Sequence, residues 1–133
     1  GNTMQLLTQI KRATDAQTAR PLKVEQPELL DRITRYVEEH YFQPITIDEL
    51  SKQFYVSNST ISHLFKQRMG VSFHRYVLQR RLIDAKTRIE NGQRLEEVAA
   101  QTGFSDYSGF YRSFKHQFGI SPRQYRSMQE NDD

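Results

Sequence analysis

The side chains able to do chemistry fall into two separated runs. The first is Ser57, Asn58, Ser59, Ser62, His63 and Lys66; the second is Ser105, Asp106, Tyr107, Ser108, Tyr111, Arg112 and Lys115. Neither run holds the parts of a catalytic site. His40, His63, His74 and His116 are scattered, and none pairs at i, i+4 with a flanking carboxylate as a helical zinc site requires. No glycine-rich loop follows a strand pattern, and no serine stands in a nucleophile-elbow sequence. No catalytic residue, metal ligand or cofactor site is assigned. The two runs instead offer hydrogen-bonding and cationic groups suited to phosphates and to the edges of planar bases. The planar fork of Arg112 can pair bidentately with guanine O6 and N7. Ser59, Ser62 and Ser108 donate or accept and so discriminate poorly. His63 can donate to guanine or lie against a phosphate. Tyr107 and Tyr111 can set a ring against a thymine methyl or bond a phosphate through the hydroxyl. Lys66 and Lys115 suit phosphates.

Such groups must be held by helices. From Pro27 the pattern is helical: Glu28 and Asp31 suit a helix start, and Leu30, Ile33 and Val37 make one apolar stripe. Pro44 stops this helix near Phe42. Thr46-Ile47-Asp48-Glu49 reads as a capping box opening a short helix to about Phe54. Tyr55-Val56 is a turn, and Ser57 or Asn58 caps the next helix, which buries Ile61, Leu64 and Phe65 and ends before Gly70. Two helices with so short a turn form a helix-turn-helix. Ser72 then caps a rod running to about Asn91, with Leu78, Leu82, Ala85 and Ile89 as its stripe. Leu95 to Gln101 opens a second helix-turn-helix. There Gly103 takes positive φ, Phe104 plugs the core, and Ser105 or Asp106 caps a helix from Tyr107 to about Phe118. Phe110 and Phe114 face inward, and Gly119 ends the helix. Ser121-Pro122 starts a last short helix through Tyr125. The cap positions Ser57, Asn58, Ser105 and Asp106 place backbone amides at helix N-termini, where phosphates bind. Of Arg80 and Arg81 on the rod, one is expected to tie the rod to a recognition unit through a carboxylate.

The two units are one pattern written twice. Phe65-Lys66, Gly70, Ser72 and Tyr76 return 49 residues on as Phe114-Lys115, Gly119, Ser121 and Tyr125; ahead of the turn the offset is 48. A rod of about 20 residues is roughly 30 Å long, close to the roughly 34 Å between successive major-groove faces of B-DNA. Charge agrees. Residues 50–128 carry thirteen basic and five acidic side chains, whereas residues 27–49 carry two basic and six acidic. The expected fold is all-α: seven helices, with two helix-turn-helix subdomains joined by a long linker helix. The domain runs from 27 to 128, the first helix-turn-helix over about 46–70, the linker helix over about 72–91 and the second over about 94–119. Residues 1–26 read as a linker or the tail of an upstream region, with a marginal helix at Met4 to Ile10. Residues 129–133 read as an acidic tail.

Over about Leu29 to Arg126 the sequence resembles the C-terminal DNA-binding domain of the AraC/XylS family of transcription regulators. The first unit carries Ile47-Asp48-Glu49-Leu50-Ser51, Ser57, Phe65-Lys66 and Gly70. The second matches more densely: Val98-Ala99-Ala100-Gln101-Thr102-Gly103-Phe104, Phe110, Phe114-Lys115, Gly119, Ser121-Pro122 and Tyr125-Arg126. Tyr55 stands where the second copy has Gly103, and Gly109 departs from the polar residue often found there. The resemblance implies base contacts from Ser59, Ser62 and His63 on the first recognition helix, and from Tyr107, Ser108, Tyr111 and Arg112 on the second. It also implies double-stranded promoter DNA as the ligand, RNA polymerase as a partner recruited or blocked, and control by a sensor or dimerisation region absent from this chain. The rival expectation is a helical protein-interaction module that binds no DNA. The absence of cysteine and of any long apolar run points to a cytoplasmic, non-membrane protein.

Overall fold

The computed structural model describes residues 20–131, with side chains from Glu28 onward. The stretch from Met4 to Ile10 and the tail residues Asp132 and Asp133 lie outside the described residues. Among the described residues there are seven helices and no strand: α1 (Arg20–His40), α2 (Ile47–Phe54), α3 (Asn58–Met69), α4 (Phe73–Glu90), α5 (Leu95–Gln101), α6 (Tyr107–Phe118) and α7 (Pro122–Asn131). The chain divides into two compact units at the Arg35–Tyr36 junction, and α1 runs through that boundary. In the first unit Ile33 is fully buried and the Thr34 hydroxyl donates to the Asp31 carbonyl. All the recognition elements belong to the second unit.

Two expectations about helix ends are corrected. The first helix starts at Arg20, not Pro27, which lies inside α1. Proline lacks an amide hydrogen and crowds the carbonyl four residues back, so an internal proline mimics a start signal. The residue at the true start is Pro21, placed in the first turn where no helical amide bond is needed. At the other end, α7 continues past Tyr125 to Asn131, taking in part of the presumed acidic tail.

Inside the second unit most helices start and stop on groups their sequence supplies; α5, which follows Arg94, has no side-chain cap. Thr46 and Glu49 close a reciprocal capping box at α2, with bonds of 3.2 and 3.1 Å. Ser57 caps α3 by accepting the Thr60 amide, and Ser72 caps α4 by accepting the Arg75 amide. Asp106 caps α6 by accepting the Gly109 amide at 2.7 Å. Ser121 and Gln124 exchange bonds at the start of α7, where Pro122 holds the first helical position. Gly70 and Gly119 end α3 and α6 in the left-handed region, each returning its amide to a carbonyl of the last turn.

Packing divides along α4. On its first turns Phe73 and Tyr76 set their rings against Phe65 of α3, at 5.4 and 5.3 Å between centroids. On its later turns Leu82, Ala85 and Ile89 join Val98, Ala99, Phe110 and Phe114 in a buried cluster. Phe110 also meets Phe104 and Phe114, and Phe114 meets Phe118 and Tyr125, so aromatic contacts run the length of α6. Thr102, fully buried at the end of α5, satisfies its hydroxyl on the Val98 carbonyl at 2.7 Å.

Candidate nucleic-acid interface

The two turns of the repeat, alike in sequence position, are built differently. At the first, Tyr55 itself adopts left-handed geometry, φ 59 and ψ 42, and its side chain is 92% exposed. At the second, Gly103 has φ 105, and a Cβ there would lie 2.8 Å from both Arg81 Nε and the Tyr41 carbonyl oxygen. Glycine is thus required twice over at 103, by backbone angle and by space.

The reason for the crowding is Arg81. Its guanidinium donates from Nε to the Tyr41 carbonyl at 2.6 Å and from Nη2 to the Gln43 carbonyl at 3.0 Å, and it lies over the Phe104 ring. Half burial without a carboxylate partner pulls its proton affinity below the ordinary arginine value. Arg80 forks onto Glu38 of α1 with bonds of 2.6 and 2.5 Å. That hydrogen bonding lowers the Glu38 pKa and raises that of Arg80. Both arginines are therefore structural. The expectation that one ties the rod to a recognition unit through a carboxylate is corrected: the carboxylate is on α1. Tyr41, whose hydroxyl donates to Asp84 at 2.7 Å, completes this brace between the end of α1 and the rod.

With the rod fixed, α3 and α6 open onto one cleft. Its volume is about 730 Å³, its floor includes Val77, Leu78 and Arg81 of α4, and its walls carry Ser62 of α3 and Gly109 and Ser113 of α6. The two recognition helices thus share one side of the rod. On α3, Ser59, Ser62, His63 and Lys66 are exposed, while Ile61, Leu64 and Phe65 are buried. On α6, Ser108, Tyr111, Arg112 and Lys115 are exposed over a buried Phe110 and Phe114.

The remaining sequence candidates are more constrained. Tyr107 is half buried, its ring 5.6 Å from Phe110, and burial ahead of the nearby Glu96 charge raises its phenol pKa. Asn58 is exposed but its amide donates to Asp48 at 2.6 Å. The Ser57 hydroxyl and the Asp106 carboxylate are engaged in capping, and Ser105 is exposed beside the cleft. Sequence inspection did not single out His74, Arg75 and His116. They gather near Arg112 only because α6 packs across the first turns of α4. Among the described residues no three His, Asp or Glu side chains converge to hold a metal ion. No described helix is long and apolar enough to cross a membrane.

Two helix-turn-helix units braced on one rod, with both recognition helices opening on the same side, define a class of nucleic-acid-binding domain. A family model described as a helix-turn-helix domain matches residues 50–128. The chain belongs to that family, in its AraC/XylS branch. The chain is 39% identical over 95 residues to the protein described as "Probable transcriptional regulator LumQ" of Photobacterium leiognathi, covering 71% of this chain and 38% of that one. It therefore spans well under half of that relative. The C-terminal domain of the response regulator yesN from Fusobacterium nucleatum superposes with a TM-score of 0.70 at 33% identity, covering 74% of this chain and 98% of that one. The DNA-binding domain of AdpA, solved with a target DNA, has the same fold, with a TM-score of 0.73 at 23% identity over 77% of this chain and 94% of that one.

Proposed function

We propose that this chain is a sequence-specific double-stranded DNA-binding transcription regulator that inserts α3 and α6 into adjacent major grooves. The observation that carries this is the shared cleft: the two recognition helices lie on one side of a single rod. At 18 residues α4 is about 27 Å long, comparable with one turn of duplex. Ser59, Ser62 and His63 from α3 and Ser108, Tyr111 and Arg112 from α6 are the proposed base contacts, with Tyr107 restricted to what its hydroxyl can reach. Lys66, Lys115 and the backbone amides around Ser57, Asn58, Ser105 and Asp106 are the proposed phosphate contacts. The domain serves regulation, not catalysis. Its place is the cytoplasm, at promoters where RNA polymerase is recruited or blocked, under control of a sensor or dimerisation region.

Affinity for duplex DNA measured over a salt series tests this. Each neutralised phosphate contributes a fall of about 0.9 in log K per decade of salt. A slope of several such units together with a preferred sequence recovered from a random duplex library is expected. A flat salt dependence would sink the proposal and favour the protein-interaction module.

A further inference from the structure

Beside the cleft lies a second, smaller hollow of about 370 Å³, where the first two turns of α4 meet the outer side of α6. His74 and Arg75 line it from α4, Arg112 and His116 from α6, with the hydroxyls of Ser72 and Ser113 between them. No carboxylate lines it. His74 also borders the larger cleft, where the other charged lining side chain is Arg81 and α3 contributes the neutral Ser62. Neither Arg75 nor Arg112 forms an ion pair among the described residues. The Ser72 oxygen accepts the Arg75 amide at 3.1 Å, which leaves its hydroxyl hydrogen free to donate. Two arginines and two histidines in one open hollow with no carboxylate favour an anion placed among them.

We infer that this hollow seats a backbone phosphate of the bound duplex, where a strand passes between the two grooves, and that His74 and His116 couple the grip to proton concentration. The inference rests on the duplex binding proposed above. A phosphodiester keeps its single negative charge throughout the range near neutrality, whereas imidazole changes charge between about pH 5 and pH 8. Neutral, each histidine offers one N–H; protonated, it offers two and a full charge. Binding therefore strengthens as pH falls and takes up protons. Arg75 supplies the charge that does not titrate. Arg112 stands at the rim, between this phosphate and the base edge assigned to it.

The test measures the affinity of the full chain for a fluorescently labelled duplex of mixed sequence, by anisotropy, at pH 8 and pH 6 over a salt series. Two contacts of surface ion-pair strength predict a tightening of about 2- to 30-fold on acidification. The slope of log K on log salt should steepen by at most about 0.9 in all, because one phosphate is seated. A His74→Gln/His116→Gln variant should lose the pH dependence, whereas His63→Gln should retain most of it. Both replaced side chains are exposed, so the fold should survive. NMR titration of the imidazoles gives an independent measure: duplex should raise the pKa of His74 and His116, and inorganic phosphate at equal concentration should not. The inference is overturned if the double variant keeps the full pH dependence, if His63→Gln alone abolishes it, or if inorganic phosphate shifts both histidines as far as duplex does. No duplex binding at either pH would instead reject the parent proposal.

Discussion

Replacing Gly103 by alanine should cost far more than its single methyl suggests. Positive φ alone costs an L-residue about 1–2 kcal/mol. The new Cβ would also sit 2.8 Å from the Arg81 Nε and 2.8 Å from the Tyr41 carbonyl oxygen, inside any tolerable contact. The peptide cannot yield easily, so the guanidinium must withdraw from bonds it makes at 2.6 and 3.0 Å. Losing hydrogen bonds to a charged, half-buried group adds about 1.5–3 kcal/mol. The expected total is about 3–5 kcal/mol in urea unfolding followed by circular dichroism. Gly92 is the internal control: its φ of 87 imposes similar strain, but nothing lies within 4 Å of a Cβ there. Gly92→Ala should lose only about 1–2 kcal/mol. In the Gly103→Ala background, further replacement of Arg81 by alanine should cost at least about 1 kcal/mol less than in the native chain, because the steric conflict is already partly relieved. Equal losses at 103 and 92, within about 0.5 kcal/mol, would refute the idea that the brace is jammed against this turn.

Arg112→Ala should cost about 1–3 kcal/mol on a selected duplex and relax preference at one position, measured by competition between matched and mutated sites; equal losses on selected and random DNA would remove its base-reading role. Lys115→Ala should weaken all duplexes about equally and reduce the salt slope by about 0.9. Phe114→Ala should destabilise the fold by about 3–5 kcal/mol in the same urea assay, since the ring is fully buried among Phe110, Phe118 and Tyr125. The Glu38 carboxyl is held below its usual 4.5 chiefly by the Arg80 hydrogen bond. Its contribution to stability is therefore present above that value and lost as pH falls through the lowered one. Because Glu38 is about half exposed, Glu38→Gln should cost under about 1 kcal/mol at neutral pH and progressively less as pH falls through the lowered value, read from unfolding midpoints.

Local chemistry was legible in the sequence. Thr46 with Glu49, Ser72 and Ser121 act within three or four residues, so their capping roles follow from spacing, whereas spacing left Ser57 open against Asn58 and Asp106 against Ser105. The inward set Ile61, Leu64, Phe65, Phe110 and Phe114 follows equally from helical period. Pro27 misled because a proline compatible with helical φ inside a helix carries the same letter as one at its start. The partners of Arg80 and Arg81 lie about forty residues upstream, and two of them are backbone carbonyls, which leave no trace in side-chain spacing. The same holds for His74 and Arg75 against Arg112 and His116. Their meeting is fixed by how α6 crosses α4, which no local pattern encodes.

The uneven seating of the two readers on α4 has a mechanical consequence. The second reader is bonded to the beam through the buried cluster from Leu82 to Phe114 and locked at Gly103, so beam and reader form one stiff arm. The first packs on the beam at a joint of Phe65 with Phe73 and Tyr76, beside the buried Leu50, Ile61, Leu64 and Val77, and its own turn at Tyr55 is left open to solvent. Tolerance for altered distance between half-sites would then be set by the three aromatic rings at that joint, and stiffening or loosening them would retune which operators the molecule can straddle.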